Sequence, residues 1–264
     1  MVICTDPLVK AYKDEGFNLL RVPRADFSPS LLPYSHGRSG FASLGRLPTE
    51  LPGTGRVPRV SRNEPMADIS RNRTSRLHIS VGTEVIASLL TAAGIPGAPT
   101  VAAELTREDR VAIVLKNVTR DSIQVGDLAD YVESGLSPRT GHVRSLGERG
   151  KLYVVTTVAR SDSIQIETAT STAARVKAAA SAGPFTPDVE LPGSASGRAT
   201  VTYPSKDVLT FGFRAIQLAS RDGRWGVYSD VHGKIAYALP PHQRRPRLLV
   251  LDADLADVET APDD

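Results

Sequence analysis

The sequence predicts an α+β protein built on a twisted antiparallel central sheet with surrounding helices. Three observations carry that reading. The second half holds five runs rich in β-branched and aromatic residues, the composition of strands. Helical patterns fall between those runs without a regular strand-helix-strand rhythm, which counts against a doubly wound parallel sheet. Two-residue turn signals, Asp222-Gly223 and His232-Gly233, point to antiparallel hairpins. With 264 residues and 41% hydrophobic content, the chain can bury a sizeable core as one large domain or two small ones.

The elements follow in chain order. Asp6 as N-cap and Pro7 at the first helical position start a short helix that Gly16 stops. Phe17 to Val22, FNLLRV, reads as a strand ending at Pro23. From His36 to Arg76 the chain turns rich in Gly, Pro, Ser and Arg, and long loops with short strands are expected. TEVIASLLTAAG is a helix capped by Thr83, with Val85, Leu89 and Ala93 on one face and Gly94 as terminator. Strands are predicted over Arg110 to Val118, Lys151 to Ala159, Ser163 to Ala169, Arg198 to Tyr203 and Val208 to Leu218. QVGDLADYVESG is helical with Leu128, Tyr131 and Val132 inward, and Thr172 to Gly183 is a strong helix former. GRWGVYSDVHGKIAYAL reads as a closing hairpin, and no internal repeat is present.

Composition narrows the function. No run of 18 apolar residues exists, so a transmembrane helix in the resting state is excluded, and MVIC followed by Asp6 and Pro7 predicts no secretory leader. A single cysteine cannot form an internal disulfide, which fits a reducing cytoplasm. The net charge of +3 hides two opposed parts. Leu248 to Asp264 carries six acids and no Lys or Arg, so residues 1–247 hold all 32 bases against 23 acids, a net of +9. Loss of the tail would leave a body that favours anionic partners.

Catalytic signals are weak. The five histidines lie far apart with no carboxylate or cysteine at metal-ligand spacing, so neither a metal nor a cofactor is expected. GTGRVP, Gly53 to Pro58, lacks the third glycine of a dinucleotide fingerprint and lies in a Pro-rich loop. Cys4 has no histidine partner in view to make it a nucleophile. The chain therefore reads as a non-enzyme. Eight arginines between Arg38 and Arg76 suit phosphates, either of anionic lipid or of nucleic acid, and Arg56, Arg59, Arg62, Arg71, Arg73 and Arg76 are candidate membrane contacts. The alternative is a soluble, non-enzymatic regulatory or nucleic-acid-binding module with basic loops.

The opening is more specific. CTDPLVKAYKDEGFNLLRVPRADFSP resembles the start of bacterial gasdermins: a cysteine near the N-terminus, a short helix, a glycine, then a strand of the form F-N-hydrophobic-hydrophobic-R-hydrophobic-P. The likeness extends more loosely through EVIASLLTAAG, the strand pairs and a short C-terminal tail, while Gly37 to Arg62 departs from it. It implies a gasdermin N-domain-like fold and a pore-forming effector of antiphage defence held inactive by its own C-terminal peptide. It further implies activation by a caspase-like or related protease, a monomer in the cytoplasm at rest, and a homo-oligomeric β-barrel in the inner membrane after cleavage. By the same match Cys4 would carry a covalent palmitoyl group, whose burial is worth roughly 10 kcal/mol.

The residues suggest how that would map onto this chain. Residues 1–238 would form the pore-forming domain, 239–247 (LPPHQRRPR) a protease-sensitive linker, and 248–264 the inhibitory peptide. Arg247 is the first candidate cut, then Arg245, Arg244 or Leu248. Leu248, Leu251, Leu255 and Val258 recur at steps of 3, 4 and 3, a helical stripe for docking on the body. Barrel insertion needs long alternating hairpins. One is expected in KLYVVTTVARSDSIQIETATSTAARV, turning near Ser161-Asp162, and another within Arg71 to Lys116.

Overall fold

The computed structural model describes residues 16–36, 40–66, 77–78, 87, 90–91, 97–106, 112–169, 188–190, 198–227 and 257–260. Its strands are β1 (Asn18–Arg24), β2 (Leu31–His36), β3 (Gly40–Arg46), β4 (Val60–Pro65), β5 (Leu77–His78), β6 (Ala112–Lys116), β7 (Thr119–Ile123), β8 (Leu152–Ala169), β9 (Asp188–Glu190), β10 (Arg198–Arg221), β11 (Arg224–Val227) and β12 (Asp257–Thr260). Four helices are interposed: α1 (Leu47–Glu50), α2 (Ala98–Thr106), α3 (Val125–Glu133) and α4 (Gly141–Glu148). All strands join one sheet with the main path β1-β10-β8-β2-β3-β12, antiparallel except for the parallel pair β3 and β12. The α+β class with a central antiparallel sheet is as the composition predicts.

The spine is the ladder between β8 and β10, which pairs from Leu152 opposite Leu218 to Ala169 opposite Arg198. Here two expectations fail. Lys151 to Ala159 and Ser163 to Ala169 are one strand, not the two arms of a hairpin turning at Ser161-Asp162, and Arg198 to Tyr203 is likewise continuous with Val208 to Leu218. The polar residues that read as turns are irregularities inside long strands. Neighbouring strands hold both halves of β8, β7 on one and β6 on the other, so polar local sequence does not break the strand.

In its proximal half the spine is buried on both faces. Leu152 and Val154 on β8, with Ile216 and Leu218 on β10, pack under α3 and α4 through Leu128, Tyr131, Val132, Val143 and Leu146. Those helices form because apolar residues recur on one face, and Thr140 caps α4 by accepting the Val143 N–H at 3.3 Å. The inward set predicted for α3 is the one observed. The opposite face holds Val155 and Val158 against Phe27, Phe41, Phe213 and Ala215, with the Phe27 and Phe213 rings 5.2 Å apart. A bulge lets Val155 and Val158 share that face: Thr157 pairs with Arg214 and Val155 with Ala215, leaving Thr156 as the extra residue.

The proximal end closes with the Asp222-Gly223 turn into β11, both residues at positive φ (53° and 77°), as a two-residue hairpin requires. Trp225 on β11 then packs against Gly147 of α4, where an added Cβ would overlap its six-membered ring. Ala87, Leu90 and Thr91 are helical, in keeping with the TEVIASLLTAAG pattern. The expected helices at Asp6 and at Thr172 to Gly183, and the turn at His232-Gly233, lie outside the described residues. The helices α2 and α4 and the strand β7 were not anticipated: APTVAAELT is short, GHVRSLGE is mostly polar, and TRDSI has a single branched aliphatic residue.

Candidate functional site

Beyond Ser163 the spine changes partners and character. Seven residues of β8, Ser163 to Ala169, pair with Pro204 to Arg198 of β10, and β6, β5 and β9 extend this distal sheet to the order β5-β6-β8-β10-β9. Directly opposed residues in a ladder share one face. One register row therefore runs Leu77, Ile113, Ile166, Val201, Val189 across five strands, and a second runs Leu115, Ile164, Tyr203. The alternate rows are His78, Ala112, Glu167, Thr200, Glu190 and Val114, Gln165, Thr202, Asp188. The backbone register thus sorts the distal sheet into an apolar face and a mostly polar one, the two-sided pattern that a lipid-facing strand requires. Within Arg71 to Lys116, the span expected to supply a further hairpin, β5 and β6 are paired antiparallel.

A second feature lies at the far edge of the sheet. β12 joins β3 in parallel, Asp257 opposite Gly40 through Thr260 opposite Ser43, and also lies against β1, the strand at the opposite end of the path. The sheet is therefore curled, and the tail strand fills the space between its two edges. Val258 was expected on a helical stripe; it lies on a strand instead, opposite Phe41. The open backbone of β3 offers a full set of ladder partners, and this outweighs a 3-4-3 spacing in a segment whose Val and Thr favour strand. Leu248, Leu251 and Leu255 lie outside the described residues, as do Cys4 and the candidate cleavage positions Arg244, Arg245 and Arg247.

The basic candidates divide. Arg71, Arg73 and Arg76 fall outside the described residues, while Arg56, Arg59 and Arg62 are exposed. Arg56 and Arg59 line an open cleft of about 570 Å³ together with Asp127, Asp130 and Tyr131 of α3. Two guanidinium groups face two carboxylates there, so the cleft is locally neutral rather than a basic patch. The loop is held against the end of α3: Thr54 Oγ1 donates to the Ser134 carbonyl at 2.6 Å, and Ser134 Oγ accepts the Gly55 N–H at 2.8 Å. A Cβ at Gly55 would meet Ser134 at under 3 Å, so this glycine serves close packing and not phosphate binding. Tyr131 donates to the Leu51 carbonyl at 3.0 Å, and burial raises its phenol above the ordinary value near 10.

Among the described residues no helix is long and apolar enough to cross a membrane, and no three His, Cys, Asp or Glu side chains gather as metal ligands. What the geometry offers is a strand surface for apolar contact, together with a tail strand at the edge. It defines an α+β protein built on one predominantly antiparallel sheet. The profile of the Bacterial Gasdermin Family matches residues 20–226. The chain belongs to that family, whose members are non-enzymatic, pore-forming cell-death effectors that assemble as oligomers in membranes.

Particular relatives agree. The chain is 27% identical over 252 residues to a gasdermin of Vitiosangium sp., covering 90% of this chain and 91% of that one. It is 27% identical over 229 residues to a gasdermin from a Desulfuromonadales bacterium, covering 84% and 85%. The fold matches the structure of a bacterial gasdermin from Bradyrhizobium tropiciagri with a TM-score of 0.61, at 16% identity and 98% coverage of both chains.

Proposed function

We propose that this chain is an autoinhibited effector of bacterial antiphage defence, released by proteolysis to form a β-barrel pore in the inner membrane. Residues 1–238 form the pore-forming body, 239–247 the cleaved linker and 248–264 the inhibitory peptide, with a caspase-like or related protease cutting at Arg247 or at Arg245, Arg244 or Leu248. Cys4 carries a palmitoyl group that adds apolar surface to the resting chain. The chain rests as a cytoplasmic monomer and oligomerises in the membrane.

The observation that carries this reading is the pair of apolar register rows on the distal halves of β6, β8 and β10. In lipid only helices and closed barrels satisfy the backbone, so strands with one apolar face are the spanning elements on offer. A spanning strand needs about 9 to 11 residues. The paired distal segments of β8 and β10 have seven residues each. The parallel pairing of β12 with β3 supports the tail as a restraint on the body. Removal of residues 248–264 also raises the net charge from +3 to +9, and each base near an anionic leaflet is worth about 1 kcal/mol.

Dye release from vesicles containing phosphatidylglycerol tests the reading. The chain truncated after Arg247 should empty them while the full chain does not; silence from both would sink the proposal. Mass spectrometry of the chain activated in its native host should place the cut within 239–248, and a cut before residue 230 would remove the assigned linker. An unacylated Cys4 in protein from that host would remove the lipid.

A further inference from the structure

Three lines of chain cross the boundary between the proximal and distal sheets, and all three are irregular there, while a fourth strand is irregular a few residues inside the proximal sheet. β4 shifts register between Ser61 and Glu64, with Asn63 at φ 55°. β6 and β7 are parted by Asn117, at φ 52°, and Val118. On β8, the Ser161 hydroxyl donates to the Ser163 carbonyl at 2.9 Å and accepts the Ser163 N–H at 3.3 Å. On β10, Pro204 lies opposite Ser163 and Leu209 opposite Ser161, so four residues, 205 to 208, face Asp162 alone.

That excess of three residues is odd, and an odd offset exchanges the two faces of a strand relative to its partner. If the proximal register ran on unbroken, Ile164 would face Lys206 and Ile166 would face Pro204. The observed register pairs them with Tyr203 and Val201. The two halves are therefore separately registered sheets, each consistent within itself, joined through the continuous strands β8 and β10.

One ion pair braces the proximal border of that seam. Asp121 on β7, whose side chain is only 4% exposed, accepts from Arg160 Nη1 of β8 at 3.0 Å through Oδ2 and from the Asn63 N–H of β4 at 2.8 Å through Oδ1. Arg160 Nη2 donates to the Val208 carbonyl in the irregular stretch of β10 at 3.2 Å. A single carboxylate and a single guanidinium thus tie together β4, β7, β8 and β10. Asn117 Nδ2 adds a bond to Asp162 Oδ1 at 2.9 Å, joining the β6–β7 link to β8. Glu64 and Arg120, paired at 2.9 Å, lie on the more exposed side of the same seam.

We infer that the Asp121–Arg160 pair is a clasp at the proximal border of the seam, fixing the irregular stretch of β10 through Val208, and that it must open before the distal sheet can swing out of the resting body and insert. The inference rests on the pore reading for its consequence, though the clasp itself does not. Pairs of this kind add little net stability over apolar substitutes, but removal of one partner strands the other charge and is strongly destabilising locally. The clasp is accordingly a device for holding geometry, and its failure should be confined to the strands it joins.

Hydrogen exchange of the full chain and dye release by the chain truncated after Arg247 test the two parts separately. Asp121→Asn keeps an acceptor for the Asn63 N–H but abolishes the ion pair. It should speed exchange about tenfold in 60–65, 119–123, 159–163 and 205–210, the segments the pair joins and the seam beside them, while leaving 152–156 and 213–218 unchanged. The same change should speed dye release about tenfold with the same final extent. Arg160→Lys keeps the charge but cannot bridge Asp121 and Val208 together, and should fall between wild type and Asp121→Asn. Unchanged exchange, a uniform rise over both halves, or unchanged release rate in the presence of a confined rise would each overturn the inference. If the truncated wild-type chain is silent while the exchange boundary falls at the seam, the pore reading fails and the clasp stands.

Discussion

The two halves of the β8–β10 ladder are made by the same strands and obey different rules. Leu152 to Ala159 reads LYVVTTVA, a nearly continuous apolar run, because α3 and α4 cover one face and Phe27, Phe41 and their neighbours cover the other. Ser163 to Ala169 reads SIQIETA, alternating strictly through Ile164, Gln165, Ile166 and Glu167. A two-sided core makes the first half a permanent scaffold. The register of the second half sets apolar residues in one row and mostly polar ones in the next, so only one of its faces is apolar by sequence. Stability and mobility of purpose are thus divided along the length of single strands rather than between domains.

Substitutions on either side of the seam should respond differently, and the largest effect belongs to the scaffold. Phe213→Ala empties a fully buried site against Phe27 and should lower unfolding free energy by about 3–5 kcal/mol in chemical denaturation. A loss below about 1 kcal/mol would mean that the second core is not a unit. Next comes Gly147→Ala, where the new methyl displaces Trp225 and the cost is about 1–3 kcal/mol, visible also as a change in tryptophan emission. Smallest for the resting fold is Ile166→Lys in the distal apolar row. It should move the denaturation midpoint far less than Phe213→Ala, yet abolish vesicle leakage by the truncated chain, since a lysine near the bilayer midplane costs about 2–4 kcal/mol per strand. Leakage that survives this change would show that the row does not face lipid.

Much of this architecture was legible in the residues themselves, and the failures have physical causes. FNLLRV, the α3 face of Leu128, Tyr131 and Val132, and the Asp222-Gly223 hairpin each satisfy a local rule, and each is found in place. The continuity of β8 and β10 was not legible, because Ser161-Asp162 and Pro204 to Asp207 look like turns until neighbouring strands hold them in a sheet. β7 was missed for the same reason: its Asp121 is a buried charge, which no periodicity signals and which only Arg160 on another strand explains. The strand at Val258 shows the converse, a helical spacing overruled by an available edge. In the candidate site, the alternation of SIQIETA could be read directly, whereas the matching rows on β6, β9 and β10 required the register.

The parallel ladder of β12 on β3 has four register pairs. At about 0.5–1.5 kcal/mol net per hydrogen bond, a contact of that size is worth a few kcal/mol, corresponding to a dissociation constant in the millimolar range. A peptide tethered through its own backbone experiences an effective concentration that is itself millimolar, enough to keep such a contact largely occupied. Once the tether is severed anywhere between Val227 and Asp257, the same strand competes at the dilute concentration of a free peptide. The covalent link, and not the strength of the ladder, then determines whether the edge of β3 is covered, so a single peptide-bond hydrolysis acts as a dilution of many orders of magnitude.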